Sequence, residues 1–218
     1  MTGPADDALV LASGNAGKIA ELRAALAGGP TTVYALAERA PDGPPPPPED
    51  APDYAGNAAI KARHAAHLTG LPALADDSGL EVDALNGRPG VHSARYGGPG
   101  LDDAGRVAHL LDALRDVPDA RRTARFVAVL ALATPDGTLH ATFEGTCEGR
   151  ILHAPEGAHG FGYDPVFHAT DLGQAFGTAD PAAKRRVSHR AHALAAFAAW
   201  WDGPAGRALR AHRPVTPP

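Results

Sequence analysis

A long β-hairpin in the second half of the chain most constrains the fold. Residues 126–133 form a dense apolar run with β-branched and aromatic members, and Pro135-Asp136-Gly137 is a turn signal. Residues 138–151 alternate enough to return as the second strand. Because hairpin strands are antiparallel, the sheet that contains them is not purely parallel.

Helical and strand patterns are mixed along the rest of the chain. A short buried strand is predicted at residues 9–12, and apolar periodicity predicts helices at about 19–26, 57–68, 102–114, 180–186 and 188–201. This mixture indicates an α/β protein. We expect a single domain over residues 1–203 and a Pro- and Arg-rich, disordered tail over residues 204–218.

Charge and cysteine content exclude several classes of protein. The formal net charge is −5, which argues against a general nucleic-acid binder, and no run approaches the roughly 20 apolar residues of a membrane span. Cys147 is the only cysteine, so an intramolecular disulfide and a cysteine-based zinc site are excluded. The N-terminus has no apolar run of signal length. We therefore expect a cytoplasmic protein without nucleic-acid or membrane partners.

Two adjacent carboxylates, Asp76 and Asp77, follow a short apolar run at residues 71–75 and precede Ser78 and Gly79. Neighbouring side chains in a strand point to opposite faces, so the two carboxylates are expected to have different roles. One can face a reaction site, where a carboxylate beside glycine can hold Mg²⁺ next to phosphate, while the other caps a turn or pairs with a cation. The alternative is a plain Asp-Asp-Ser-Gly turn.

A glycine-containing turn lies between the first strand and the first helix. It reads Ser13-Gly14-Asn15-Ala16-Gly17-Lys18, and its backbone N–H groups and helix N-terminus could bind an anion, with Lys18 adding charge. The turn is not a P-loop, because Ile19 stands where a Ser or Thr would bind Mg²⁺. The alternative is a simple strand-to-helix turn with an exposed lysine.

Two aromatic residues stand in a glycine-rich loop, Phe161-Gly162-Tyr163-Asp164. Their rings could stack on a nucleobase, and Asp164 could accept a hydrogen bond from a base N–H. The alternative is a loop whose aromatic side chains pack into the core.

The densest cationic segment runs from Lys184 to Arg190. Ser188 is a good N-cap for the last helix, which places His189 and Arg190 in its first turn, where cations are unfavourable unless an anion or electron-rich ligand is near. Arg95 could add a substrate contact. The alternative for all of them is a charged surface.

Together these segments resemble the inosine triphosphate pyrophosphatase family. The matching motifs occur in the family's order over nearly the whole chain: 13–18 with Glu21, 57–62, 75–80, 90–96, 160–165 and 188–190. The resemblance implies a long mixed sheet with flanking helices, in two lobes around an active-site cleft, and a homodimer. It implies hydrolysis of non-standard purine nucleoside triphosphates (ITP, dITP, XTP) to the monophosphate and pyrophosphate.

The resemblance also implies residue roles. Asp77 would be the proton acceptor and a Mg²⁺ ligand, and Glu49 would be a second metal ligand. The triphosphate would be bound by Ser13, Gly14, Asn15, Ala16, Gly17, Lys18 and Ser78. The nucleoside would be bound by Phe161, Gly162, Tyr163, Asp164, Lys184, His189 and Arg190.

The chain departs from the family at one position near the metal site. Many members have Glu where this chain has Gly56, so Glu49 or Asp50 must serve if that carboxylate matters here. Two other functions stay open from the sequence: a related pyrophosphatase for methylated or pyrimidine nucleotides, and a non-catalytic nucleotide sensor.

Overall fold

A seven-stranded mixed sheet organises the described part of the chain, residues 7–211 of a computed structural model. The spatial order of the strands is β2–β1–β3–β4–β5–β6–β7. Strand β1 pairs in parallel with β2 and β3, and the remaining neighbours are antiparallel. The strands are β1 (Asp7–Leu11), β2 (Thr31–Ala35), β3 (Ala73–Val82), β4 (Thr123–Ala133), β5 (Leu139–Ile151), β6 (Phe167–Ala169) and β7 (Gln174–Ala175).

Helices cover both faces of this sheet. Within residues 7–211 they are α1 (Ala16–Ala25), α2 (Leu36–Arg39), α3 (Tyr54–Thr69), α4 (Asp103–Ala113), α5 (Pro181–Val187), α6 (His189–Asp202) and α7 (Pro204–Ala211). Side chains of Asn15, Asp53, Asp102, Asp180 and Ser188 accept backbone N–H groups at the starts of their helices. The predicted cap at Ser188 is therefore confirmed.

Alternation along the central strands sends neighbouring side chains to different cores. Leu9, Leu74 and Leu130 pack against α1 and α6, whereas Val10 and Ala75 pack against the alanine-rich face of α3. A third cluster lies toward the other end of β3, β4 and β5. There these strands pack against α4 and the rings of Phe126, Phe167 and Phe176 to form the core of a second lobe. Long strands thus run through both lobes, and the mixed α/β fold is confirmed.

The Asp-Asp-Ser-Gly turn alternative is wrong. Strand β3 continues without a break from Ala73 to Val82 and pairs over its whole length with β4. Gly79 lets the segment at Gly90 approach this strand closely, because a Cβ at position 79 would lie 2.3 Å from the carbonyl oxygen of Gly90. The two carboxylates therefore stand in the middle of a strand rather than at its end.

The expectation of a disordered tail is wrong for residues 204–211. These residues form α7, in which Arg210 lies 3.0 Å from Asp7 and places its guanidinium 4.9 Å from the Trp201 ring centroid. Pro204 begins this helix, a position that proline favours. Residues 212–218 lie outside the described part of the chain. Among the described residues, no helix has the length and apolar character needed to cross a bilayer.

Candidate active site

A cleft of about 780 Å³ collects most of the residues singled out from the sequence. Its walls come from α1, α3, β3, α4, α5, α6 and the loop at residues 161–164, called the aromatic loop below. The predicted residues that line it are Lys18, Glu49, Asp77, Ser78, Phe161, Gly162, Tyr163, Asp164, Lys184, His189 and Arg190. Residues 13–17 and Arg95 are not among the lining residues described for the cleft.

Asp76 and Asp77 serve opposite sides of β3, as the two-residue strand period predicts. Both oxygens of Asp76 lie 2.9 Å from Nζ of Lys18, and Nε of Arg190 donates to Oδ2 at 3.2 Å. Burial alone would raise the pKa of Asp76, but the charges of Lys18 and Arg190 hold it down at about 2. Asp76 is therefore a buried carboxylate anion between two cations.

Asp77 faces helix α3 instead. Its Oδ2 accepts from Nδ2 of Asn57 at 3.2 Å, and its Oδ1 accepts from Nζ of Lys61 at 3.2 Å. The same ammonium group lies 3.0 Å from Oε1 of Glu49. Burial raises the pKa of Asp77 above its ordinary value, against the opposing effect of Lys61. Glu49 and Asp77 thus converge on one cation.

The position of Glu49 bears on the choice between it and Asp50. Glu49 lines the cleft and contacts Lys61, whereas Asp50 is not among the lining residues. A side chain at position 56 has no room, because a Cβ on Gly56 would lie 2.6 Å from Cβ of Ala51. Of the two candidate carboxylates, Glu49 is therefore the one that lies at the cleft.

A divalent cation fits this pair of carboxylates. Among residues 7–211, no group of three or more His, Cys, Asp or Glu side chains is placed to hold a metal. Mg²⁺ is commonly bound by one or two carboxylates together with substrate phosphates, so two carboxylates sharing one ammonium group suit it. The ligands that this chain would offer to Mg²⁺ are therefore the carboxylate oxygens of Glu49 and Asp77.

The glycine-containing turn is held by its own side chains. Oγ of Ser13 accepts from the backbone N–H of Asn15, and Oδ1 of Asn15 accepts from that of Lys18, both at 3.1 Å. First-turn N–H groups of a helix, including that of Gly17, have no intrahelical acceptor. They remain suited to an anion beside Lys18.

The aromatic loop combines both interpretations of its sequence. Phe161 is 60% exposed, as a stacking surface requires, whereas Tyr163 is buried and its hydroxyl donates to the carbonyl oxygen of Ser93 at 2.9 Å. Oδ2 of Asp164 accepts from the backbone N–H of Phe161 at 2.8 Å and from Nζ of Lys184 at 2.5 Å. Asp164 thereby fixes both an exposed ring and a cation at the cleft.

The start of α6 brings an imidazole and a guanidinium into the cleft wall. His189 is buried, its ring stacks on Phe126 at 4.9 Å between centroids, and its Nδ1 has no partner within the described residues. Burial, followed by the nearby charges of Arg190 and Lys184, lowers the pKa of His189 well below 6.5, so the ring is neutral. Arg190 is balanced by Asp76, the anion that its place at a helix N-terminus requires.

The polar groups that contact the predicted site residues include Asp76, Asn57 and Lys61, which were not predicted as site residues. Asn57 and Lys61 are four residues apart on α3, so helical periodicity could have placed them on one face. The strand period predicted that Asp76 and Asp77 face opposite sides, but neither which of them pairs with a cation nor which cation that is. That information exists only in the packing of α1 and α6 against β3.

Comparisons with known proteins agree with one another. Residues 9–200 match the Ham1 family. The chain is 53% identical over 192 residues to the dITP/XTP pyrophosphatase of Xanthomonas axonopodis pv. citri, covering 86% of this chain and 93% of that protein. It is 49% identical over 200 residues to the dITP/XTP pyrophosphatase of Thermus thermophilus, covering 91% and 94%.

Solved structures are similar over the same region. A HAM1 protein from Coxiella burnetii superposes with a TM-score of 0.82 at 40% identity, covering 88% of this chain and 96% of that one. A nucleoside-triphosphatase / dITP/XTP pyrophosphatase from Mycobacterium abscessus superposes with a TM-score of 0.72 at 43% identity, covering 87% and 98%.

Proposed function

Because the chain belongs to the Ham1 family, we infer that it is a dITP/XTP pyrophosphatase, a hydrolase that converts a nucleoside triphosphate and water to the monophosphate and pyrophosphate. The observation that carries this inference is the convergence of separate sequence motifs on one cleft. One wall holds the carboxylates Asp77 and Glu49, and the other holds Lys18, Asp76 and Arg190. Removal of non-standard purines from the nucleotide pool keeps them out of DNA and RNA.

We propose that Asp77 orients and deprotonates the water that attacks the α-phosphorus. Its pKa is raised by burial, which makes it a stronger base than an ordinary aspartate. Glu49 and Asp77 would hold Mg²⁺ between them, since one ammonium group already contacts both. When bound, Mg²⁺ neutralises charge on the phosphate oxygens and lowers the pKa of its bound water.

The phosphate groups would lie against the start of α1. Lys18 lines the cleft, and the backbone N–H groups of residues 13–17 precede it at the helix N-terminus. Ser78 follows Asp77 in β3 and would add a hydroxyl group. Neutralising the charge on phosphate is most of what a protein contributes to this chemistry.

The nucleobase would lie between the aromatic loop and the start of α6. Phe161 offers an exposed ring, while Gly162, Tyr163 and Asp164 form the loop that presents it. Donors from Arg190, Lys184 and His189 would satisfy the C6 carbonyl of hypoxanthine or xanthine and would confront the C6 amino group of adenine. A site built around such a hydrogen bond can reject the mismatched base by about 10⁴-fold.

Pyrophosphate release from dITP, XTP, ITP, GTP and ATP, with Mg²⁺ and with EDTA, tests this function. We expect fast, Mg²⁺-dependent release from dITP, ITP and XTP and little from ATP. Comparable turnover of ATP would contradict the account of base selection. Turnover only of 7-methylguanosine or thymidine triphosphate would favour the related pyrophosphatases, and binding without turnover would indicate a sensor.

The family resemblance also leads us to propose a cytoplasmic homodimer. The substrates are pool nucleotides, and the free thiol of Cys147 is compatible with a reducing compartment. Among residues 7–211, Phe161 is the one large apolar side chain that is exposed, so a dimer interface would be largely polar or made of smaller apolar groups. Light scattering on the purified chain tests the dimer.

A further inference from the structure

The proposed reaction gives Asp76 no role, yet this carboxylate makes hydrogen-bonded ion pairs with two cations of the cleft, Lys18 and Arg190. It is 4% exposed, and both of its oxygens contact Lys18 at 2.9 Å. Nε and Nη2 of Arg190 lie 3.2 and 3.3 Å from Oδ2. An ion pair of this kind could simply stabilise the fold, or it could set the geometry of the site.

The two cations that Asp76 holds belong to opposite ends of the proposed nucleotide. Lys18 lies in the first turn of α1, beside the phosphate-binding turn, and Arg190 lies in the first turn of α6, beside the base. Both begin helices, where a cation opposes the helix dipole. Without a shared anion, the two groups would repel each other and the helix ends, and neither would keep one position.

Asp76 is also an anion in a cleft that must bind a highly charged anion. Its negative charge weakens the attraction between the cleft and any phosphate group, because a unit charge acts over several ångströms in a poorly solvated site. A residue that only improved substrate binding would not carry this charge. The placement is expected where fixed cation positions matter more to the reaction than affinity does.

We propose that Asp76 is a positioning residue, which fixes Lys18 and Arg190 for the reaction and in doing so weakens binding of phosphate in the ground state. The proposal rests on the proposed function, since it assigns Lys18 and Arg190 to the bound nucleotide. It predicts that removal of the Asp76 charge separates affinity from rate. If the ion pair only stabilises the fold, the variant should be less stable, but its folded fraction should keep the wild-type kcat, KM and pyrophosphate affinity.

The experiment compares Asp76→Asn with the wild type and with Glu21→Gln. Glu21 lies 4.0 Å from Nη1 of Arg190, so Glu21→Gln removes one negative charge beside the same guanidinium without touching the anchor of Lys18. For each full-length protein, we would measure the affinity for inorganic pyrophosphate in EDTA by calorimetry, and kcat and KM for dITP with Mg²⁺. Thermal unfolding establishes the folded fraction.

We expect Asp76→Asn to bind pyrophosphate about three- to thirtyfold more tightly, the range for removal of one unit charge several ångströms from the ligand. Its kcat should fall by about ten- to a hundredfold, because small displacements of catalytic groups have effects of this size. Glu21→Gln should also bind pyrophosphate more tightly but keep its kcat within about threefold. The split between affinity and rate is the expected signature.

Three outcomes overturn the proposal: weaker pyrophosphate binding by Asp76→Asn, an unchanged kcat, or an equal loss of kcat in Glu21→Gln. If Asp76→Asn does not fold, Asp76→Glu keeps the charge and moves it by one methylene. It should lose at least about tenfold in kcat with pyrophosphate affinity within about twofold, and an unchanged kcat contradicts the proposal. A wild type that hydrolyses no dITP overturns the proposed function itself, whereas a working wild type isolates the role of Asp76.

Discussion

Nζ of Lys61 lies 3.2 Å from Oδ1 of Asp77, and it holds that carboxylate together with Glu49 in the wall of the cleft. Lys61 and Asp77 are largely buried, so water screens their attraction only weakly, whereas Glu49 is more exposed. Two carboxylates that contact one ammonium group would repel each other without it. The ammonium group therefore occupies the position that the proposed Mg²⁺ would take or share.

Asp77→Asn tests the proposed general base. Asparagine keeps the shape of the side chain, and its amide oxygen can still accept the hydrogen bond from Nδ2 of Asn57. It cannot, however, take a proton from water. We expect kcat for dITP to fall by about 10³-fold or more, with a thermal unfolding midpoint close to that of the wild type. Near-normal turnover by a folded Asp77→Asn protein would contradict the role of Asp77.

Lys61→Met should change the response to Mg²⁺. Without the ammonium group, Glu49 and Asp77 lose their shared partner, and we expect the free energy of unfolding to fall by roughly 1–3 kcal/mol. Because Mg²⁺ then meets no competing charge, its addition should raise the unfolding temperature of Lys61→Met more than that of the wild type.

Glu49→Gln is the control for this measurement. It removes a proposed metal ligand and should diminish the rise in unfolding temperature with Mg²⁺ in either background. A smaller rise in Lys61→Met than in the wild type would show that Lys61 does not compete with the metal.

Local sequence signals predicted the elements that depend on local chemistry. The hairpin of β4 and β5 follows from its apolar run and turn, and the opposite orientations of Asp76 and Asp77 follow from the strand period. The pyrophosphatase family was identified from its motifs, and the comparisons confirm it. These features need no knowledge of distant contacts.

Elements that depend on distant contacts were missed or wrong. Strand β2 has five residues, of which only Val33 and Ala35 are buried, so its strand pattern is too short to stand out without the pairing with β1. Helix α7 is held by Asp7 and Trp201, which the sequence does not show to be close. The partners of Asp76 are 58 and 114 residues away, so packing alone selects them.

His189 should give the stability a specific pH dependence. Its pKa in the folded protein is far below 6.5, so below pH 6.5 the unfolded chain binds a proton that the folded chain does not. Stability must then fall as pH falls, by roughly 1.4 kcal/mol per pH unit, until the folded pKa is reached. We expect His189→Gln to lack this contribution between pH 6.5 and 5.

Urea unfolding of both proteins at several pH values measures this difference, because other titrating groups contribute equally to each. Parallel stability curves for the wild type and His189→Gln would mean that His189 titrates normally and is not a buried neutral ring.

Phe161→Ala should weaken substrate binding without weakening the fold. The ring is 60% exposed, so its removal changes stability by at most about 0.5 kcal/mol, whereas loss of stacking on a base costs roughly 1–3 kcal/mol. We therefore expect KM for dITP to rise by about 5- to 150-fold with kcat much less affected.

Tyr163→Phe is the matched control for the same loop. It removes only the hydroxyl that donates to Ser93, so we expect a loss of stability near 1 kcal/mol and an almost unchanged KM. An equal rise in KM for Tyr163→Phe and Phe161→Ala would contradict the proposal that the base stacks on Phe161 rather than contacting Tyr163.

Gly145→Ala should show that the sheet sets the position of helix α6. A Cβ on Gly145 in β5 would lie 2.2 Å from the carbonyl oxygen of His189 and 2.4 Å from the backbone nitrogen of Ala193, so the helix must move outward. Because such overpacking typically costs roughly 1–3 kcal/mol, we expect reduced stability. Displacement of His189 and Arg190 should also lower kcat/KM for dITP in the protein that remains folded.

Gly29→Ala, where a Cβ meets its nearest neighbour at an ordinary 3.5 Å, is the control and should leave kcat/KM unchanged. Full activity in Gly145→Ala would mean that the start of α6 does not need this close approach to the sheet.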